Sequence, residues 1–105
     1  MRKYNPNPKH ERSGSLGRKG TKLDLSPPET SQLLNDPVRC VEVPGKRQLV
    51  GVNDGKIYVF QDDGADGYHA YPVSGNEVYT KFPMISGRIA ALLGTTVKRL
   101  SRMEL

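Results

Sequence analysis

The chain has 105 residues and a formal net charge of +5, with 35% hydrophobic and 26% charged residues, 11 glycines, eight prolines and one cysteine. This length suits one small domain, and the low apolar share indicates that part of the chain is loop. No apolar run is long enough to span a membrane, the N-terminus lacks the apolar core of a signal peptide, and Cys40 alone cannot form an internal disulfide.

The first segment in chain order is a basic arm, residues 1–22. It holds seven Lys/Arg and one acidic residue, a net charge of +6, whereas residues 23–105 hold nine Lys/Arg and ten acidic residues, a net charge of −1. The arm contains almost no apolar side chains, so we expect it to be weakly ordered and to fold only by docking or binding. Its charge suits a polyanion or an acidic protein, and a solvated tail without a role is the alternative.

Residues 23–105 are predicted to form a single small α+β domain. Ser26 is a good N-cap, Pro27 suits the first helical position and Glu29 completes a capping box, so a short helix is predicted from Pro27 to Leu34. Turn signals in "PGK" and "NDG" separate strand candidates, which predicts a short antiparallel sheet. The predicted strands are residues 38–43, 47–52, 56–61 and 68–73.

The fourth of these strands, "YHAYPV", contains the second histidine of the chain. We expect Tyr68 and Tyr71 to supply the apolar face of the strand and His69 to point to the other face. The following "SGNE" is expected to close the strand as a loop.

The last segment changes to a helical period. Residues 86–94 are predicted to form a helix with Ser86 as N-cap and Gly94 as stop, and residues 95–103 predict a second helix. The predicted fold is therefore α+β, with a short N-terminal helix packed on a three- to four-stranded antiparallel sheet and a C-terminal helix or helix pair.

The candidate chemistry rests on the two histidines, His10 and His69. They lie more than fifty positions apart, and the chain has neither an HxxxH nor a CxxC spacing. No transition-metal signature and no nucleotide-binding glycine loop is recognisable, so we predict a mechanism without metal or cofactor.

Cleavage of RNA without a metal requires a base for the ribose 2′-hydroxyl, an acid for the leaving 5′-oxygen, and cations near the phosphate. Histidine suits both proton roles because its ordinary pKa lies near neutrality. We predict that His10, Glu11 and His69 are catalytic. The residues predicted to bind the substrate are Lys9, Arg47, Lys56 and Tyr68. A solvated tail for "KHE" and a packing role for His69 are the alternatives.

Three segments in order, "NPKHE", "LDLSPPETSQLLN" and "KRQLVGVNDGKIYVFQDDGADGYHAYPV", resemble small C-terminal toxin domains of bacterial polymorphic toxin systems, including contact-dependent inhibition and Rhs-type proteins. Many such domains resemble the barnase, EndoU, colicin and RelE group of metal-independent ribonucleases. The resemblance implies a toxin that cleaves tRNA or another cellular RNA and is blocked by a small acidic immunity protein. It also implies action in the cytoplasm of a target bacterium, after delivery on a larger secreted carrier. Residues 81–105 do not clearly fit the resemblance.

Two other functions stay open. Residues 86–103 resemble a helix-turn-helix, with a glycine in the turn and basic residues on the second helix, as in a DNA-binding protein. A non-catalytic interaction domain would account for the fold signals but would leave the two histidines without a role.

Overall fold

The computed structural model describes residues 1–6 and 23–105. Within these ranges the chain forms four α-helices, a 3₁₀ turn and a four-stranded antiparallel sheet, which confirms the predicted α+β class. In chain order the elements are α1 (Pro27–Leu34), β1 (Cys40–Glu42), β2 (Gln48–Asn53), β3 (Lys56–Asp62), β4 (Tyr68–Val73), α2 (Gly75–Lys81), the 3₁₀ turn (Pro83–Ile85), α3 (Ser86–Leu93) and α4 (Val97–Leu100).

Helix α1 begins at the predicted capping box. The backbone N–H of Glu29 donates to Ser26 Oγ at 3.2 Å, and the N–H of Ser26 donates to Glu29 Oε1 at 2.9 Å. The box satisfies backbone donors that the first turn of a helix leaves unpaired. Helix α1 then buries Leu33 and Leu34 against the sheet.

The sheet is a meander in which each strand pairs with the next in the chain, in the order β1-β2-β3-β4. The "NDG" hairpin is confirmed, because Asp54 and Gly55 have φ values of 53° and 75° and join β2 to β3. Positive φ at both central positions is the geometry of the tight hairpin turn that matches strand twist. This turn sets a register in which Gln48 lies opposite Gln61.

The two faces of the sheet bury separate sets of apolar side chains. One face packs against α1, through a cluster centred on Leu33, Tyr58 and Phe60. The other face packs against the C-terminal helices, through a cluster that includes Val59 and Leu100. We call these the α1 face and the helical-layer face. A sheet covered on both faces makes a three-layer domain.

The order of side chains in β4 differs from the prediction. His69 and Tyr71 lie on the helical-layer face, with ring centroids 6.4 Å apart, whereas Tyr68 and Ala70 pack towards the α1 face. The prediction paired Tyr68 with Tyr71 and was wrong, because residues three apart in a strand point to opposite faces.

The "SGNE" segment starts a helix instead of forming the predicted loop. Ser74 is the N-cap of α2, and its Oγ accepts a hydrogen bond from the N–H of Glu77 at 3.0 Å. The sequence has the spacing of a capping box here, so the signal for this helix was present.

Helix α3 ends at Gly94 as predicted, in the left-handed conformation with φ 74°. Its start differs from the prediction: Ile85 occupies the N-cap, and Ser86 is the first helical residue. Ser86 Oγ donates to the carbonyl of Pro83 at 2.9 Å, so the hydroxyl closes the preceding 3₁₀ turn and does not cap α3. The second predicted helix forms only one turn, α4, capped by Thr96.

Candidate functional site

A pocket of about 410 Å³ lies at the end of the sheet where β2 and β4 begin. Its lining brings together two of the residues predicted to bind the substrate, Arg47 and Tyr68. The lining residues are Met1, Arg2, Lys3, Arg47, Asp62, Gly64, Asp66, Gly67 and Tyr68. A neighbouring groove of about 200 Å³ shares Arg47 and Tyr68 with this pocket and adds Lys46.

Backbone pairing explains why Arg47 and Tyr68 meet. The N–H of Asp62 donates to the carbonyl of Arg47 at 3.1 Å, and Asp62 is the register partner of Tyr68. The three residues therefore form one row across neighbouring strands, and side chains in one row share a face. Arg47 is exposed and forms no ion pair with any residue in the described ranges.

His69 lies in the next row, on the helical-layer face. Its register partner is Gln61, which pairs in turn with Gln48, and all three side chains are half-buried. Gln48 Nε2 donates to Gln61 Oε1 at 2.7 Å. Tyr68 and His69 thus occupy the same end of the sheet but opposite faces of it, so a ligand that touches both must pass over the end or the outer edge of β4.

The first six residues of the arm form an N-terminal strap along this edge. The N–H of Tyr68 donates to the carbonyl of Lys3 at 2.9 Å, and the N–H of Asn5 donates to the carbonyl of Tyr68 at 2.7 Å. At the other end of the strap, the N–H of Arg2 donates to Asn35 Oδ1 at 2.7 Å. The strap is therefore part of the fold, and its two cationic side chains line the pocket.

Asp63 connects the strap to the loop that precedes β4. Its Oδ2 accepts a hydrogen bond from Asn5 Nδ2 at 2.8 Å, and its Oδ1 accepts from the backbone N–H groups of Ala65 and Gly67. The Asn5 hydrogen bond, followed by that of Ala65, lowers the pKa of Asp63 below its ordinary value, and the nearby His69 imidazole adds a smaller effect in the same direction. Asp63 and His69 are consequently close enough for their charges to interact.

Lys56 lies at the opposite end of β3 and is not brought together with Arg47. Six positions of extended strand separate Lys56 from Asp62, which amounts to about 20 Å. Lys56 Nζ forms an ion pair with Asp24 Oδ2 at 2.7 Å, and Tyr58 Oη donates to the other oxygen of the same carboxylate at 2.6 Å. Burial of the Tyr58 ring, together with this hydrogen bond, raises the pKa of Tyr58 above its ordinary value.

The predicted residues Lys9, His10 and Glu11 lie outside the described residues. The structure adds other residues to this end of the sheet: Lys3 from the strap, and Gln48 and Gln61 beside His69. The sequence could have placed the two glutamines beside each other, because the "NDG" turn sets the register between β2 and β3 in which they pair. The next pairing, between β3 and β4, places Gln61 beside His69. Nothing in the sequence of the arm indicated where Lys3 would dock.

The helix-turn-helix alternative concerns α3 and α4. Helix α4 has four residues, and its last residue, Leu100, is fully buried. A recognition helix places several side chains of one exposed face in the major groove. Because α4 is a single turn and its Leu100 is buried, too few of its side chains are exposed on one face to act as a recognition helix.

Comparison of the chain with protein-family models, with curated proteins and with solved structures found no match. Within residues 1–6 and 23–105, no three His, Cys, Asp or Glu side chains lie close enough together to hold a metal ion. Over the same part of the chain, no helix has the length and apolar character needed to cross a membrane.

Proposed function

We propose that the protein is a metal-independent ribonuclease. It binds RNA at one end of the sheet, where Arg47, Tyr68 and His69 lie. The observation that carries the proposal is the convergence of Arg47, directly before β2, and Tyr68 of β4 with Lys3 of the strap around one open pocket, while His69 lies in the next row at the same end of the sheet, on the other face. Lys3 and Arg47 supply positive charge for phosphates. Asp62 and Asp66 also line the pocket, so the charge favours phosphates only on the Lys3 and Arg47 side. Lys56 has no part in this site.

The reaction divides between two histidines. One imidazole removes the proton of the ribose 2′-hydroxyl as that oxygen attacks phosphorus, and another protonates the departing 5′-oxygen, which leaves a 2′,3′-cyclic phosphate. His69 takes one of these roles in the proposal. Arg47 stabilises charge that develops on the phosphate.

His10 is the partner that the proposal requires. Asn5 is bonded to the carbonyl of Tyr68, next to His69 in the chain. His10 is four positions after Pro6, so the extended backbone spans at most about 14 Å between them. Covalent connectivity therefore permits Lys9, His10 and Glu11 to reach the same scissile phosphate as His69.

The biological role in the proposal is that of a bacterial toxin, as the sequence resemblance implies. The substrate would be tRNA or another cellular RNA, and the protein would reach the cytoplasm of a target bacterium on a secreted carrier. A small acidic immunity protein would block the site by placing carboxylates where phosphates bind, and opposite fields would speed its association.

Replacement of the histidines tests the proposal. His10→Ala and His69→Ala should each lower the rate of RNA cleavage by roughly 10²- to 10⁴-fold, the range for loss of one general acid or base. Cleavage is measured with excess chelator present, with detection of the 2′,3′-cyclic phosphate. Expression of the unaltered chain in a bacterial host should arrest growth, and expression of either variant should not.

His69→Gln and Val38→Ala serve as controls. Glutamine keeps hydrogen-bonding capacity without the ability to transfer protons, so His69→Gln should be as inactive as His69→Ala. Val38 is exposed and far from the site in sequence, and its variant should cleave at the unaltered rate. Cleavage that stops on chelation, or that survives in both histidine variants, contradicts the proposal.

A further inference from the structure

The charges of the folded chain are segregated between its layers. Residues 75–105, which contain the helical layer, hold five Lys/Arg and two acidic residues, Glu77 and Glu104. Residues 23–74, which contain the sheet and α1, hold four Lys/Arg and eight acidic residues. A basic surface therefore exists outside the N-terminal arm, on the layer that covers the same face of the sheet as His69.

The strongest part of this surface surrounds α4. Lys98, Arg99 and Arg102 are all exposed, while Leu100 between them is fully buried. The helical hydrogen-bonding pattern continues past α4, because the N–H of Ser101 donates to the carbonyl of Val97 at 2.9 Å. Lys98 and Arg102 lie on either side of the buried Leu100 in the chain, and the N–H of Arg102 donates to the carbonyl of Arg99 at 3.0 Å, so the three cations occupy two successive tight turns.

None of these three cations forms an ion pair with another residue in the described part of the chain. Lys98, Arg99 and Arg102 lie within five consecutive residues, and like charges at this spacing repel each other unless an anion lies beside them. Their arrangement fits a ligand that carries closely spaced negative charges.

We propose that Lys98, Arg99 and Arg102 form a second binding surface for the phosphate backbone of RNA, separate from the pocket at Arg47. This rests on the proposed function only in taking RNA as the polyanion. The centre of a protein–protein interface is apolar and depleted of charged residues, whereas surfaces that hold phosphates consist of Lys and Arg. Lys98, Arg99 and Arg102 match the second description, and the exposed Val97, Glu104 and Leu105 lie beside them.

A consequence is that the substrate should be a chain of several nucleotides. The longest dimension of the described structure is 33 Å, so a single strand of modest length can contact both surfaces. Contacts to the backbone carry no sequence information and set position and affinity only.

The test compares two double variants with the same change in net charge. Lys98→Gln with Arg102→Gln removes two charges from the α4 surface, and Gln32→Glu with Val38→Glu adds two negative charges at exposed positions near α1. The probe is a fluorescent 20-nucleotide 2′-O-methyl RNA, which cannot be cleaved through its 2′-oxygen. Fluorescence anisotropy gives the dissociation constant over a range of salt concentrations.

Log affinity falls as log salt rises, and loss of two phosphate contacts should make this slope less steep by about 1.4. The same loss should weaken binding roughly 25-fold at 0.1 M salt. The matched control should bind nearly as the unaltered chain does. Thermal unfolding should show that Lys98→Gln with Arg102→Gln is at least as stable as the unaltered chain, because the substitutions relieve repulsion.

Three outcomes would overturn the inference: an unchanged salt slope, an equal loss of affinity in the control, or binding of polyglutamate as tight as that of RNA. The last would assign the surface to an acidic protein. Because the probe is not cleaved, the binding test does not depend on catalysis. If the chain binds the probe with the predicted slope but cleaves no RNA, the proposed function is rejected and this inference stands.

Discussion

At the scale of single residues, Asp36 shows how one side chain stabilises the turn between α1 and β1. It follows α1, and its Oδ1 accepts hydrogen bonds from the backbone N–H groups of Val38 at 2.8 Å and Arg39 at 2.9 Å. These bonds, that of Arg39 first, and an ion pair with the Arg39 guanidinium lower the pKa of Asp36 from 3.8 to about 2. The ionised carboxylate therefore stabilises the turn that leads into β1.

The pKa of Asp36 predicts an effect of acid. A carboxyl group whose pKa is lower in the folded state stabilises the fold above its unfolded pKa, and this contribution disappears as the pH falls through the folded pKa. The free energy of unfolding of the unaltered chain should exceed that of Asp36→Asn above about pH 4, and the difference should vanish by about pH 2. Denaturation at a series of pH values measures both curves, and curves that remain parallel from pH 6 to pH 2 would contradict the assignment.

At the scale of elements, the N-terminal strap is ordered by docking, through backbone hydrogen bonds to Tyr68, side-chain hydrogen bonds of Arg2 and Asn5, and packing of Tyr4 against the α1-face cluster. The strap docks where Gly67 lies, and a Cβ atom at that position would collide with the Asn5 side chain and lie 3.1 Å from the carbonyl oxygen of Lys3. Glycine is needed at position 67 for space, because the strap passes directly over it.

Gly67→Ala should therefore destabilise the strap and lower the free energy of unfolding by about 1–2 kcal/mol, through loss of the hydrogen bond between Asn5 and Asp63. Gly87→Ala is the matched control. Gly87 lies in α3 with open space around its Cβ position, so alanine there should stabilise the protein by about 0.5–1 kcal/mol. Urea denaturation measures both. Equal effects of the two substitutions would show that the strap does not constrain position 67.

At the scale of the whole molecule, the sheet is shared by two apolar clusters. Leu33 of α1 is 1% exposed on one side and Leu100 of α4 is fully buried on the other. Because both clusters rest on side chains of the same four strands, we expect neither layer to stay folded without the sheet.

Leu33→Ala and Leu100→Ala should each lower the free energy of unfolding by about 2–5 kcal/mol, from lost burial and the cavity that remains. Both variants should unfold in one transition. Far-ultraviolet circular dichroism follows the helices and tyrosine fluorescence follows the five tyrosines of the chain, and the two signals should coincide in each variant. A helical-layer transition in Leu100→Ala that precedes the tyrosine signal would contradict the single unit.

The elements whose signals are local can be predicted from the amino-acid sequence. The capping box at Ser26 predicted α1, and the "NDG" turn predicted the β2–β3 hairpin, because each depends on hydrogen bonds or φ values within a few residues. The same rule applied to "SGNE" would have found α2, and strict alternation in β4 would have placed His69 beside Tyr71. Those two errors came from incomplete use of local rules.

Which side chains meet depends on packing between elements that are distant in the sequence. Arg47 and Lys56 look equivalent in sequence, since each is a cation beside a strand end. In the fold they lie near opposite ends of β3, and Lys56 pairs with Asp24. The docking of Lys3 and Asn5 against Tyr68 likewise depends on packing between distant segments. Local propensity carries no information about such contacts, because they arise when separate apolar faces are buried on one shared sheet.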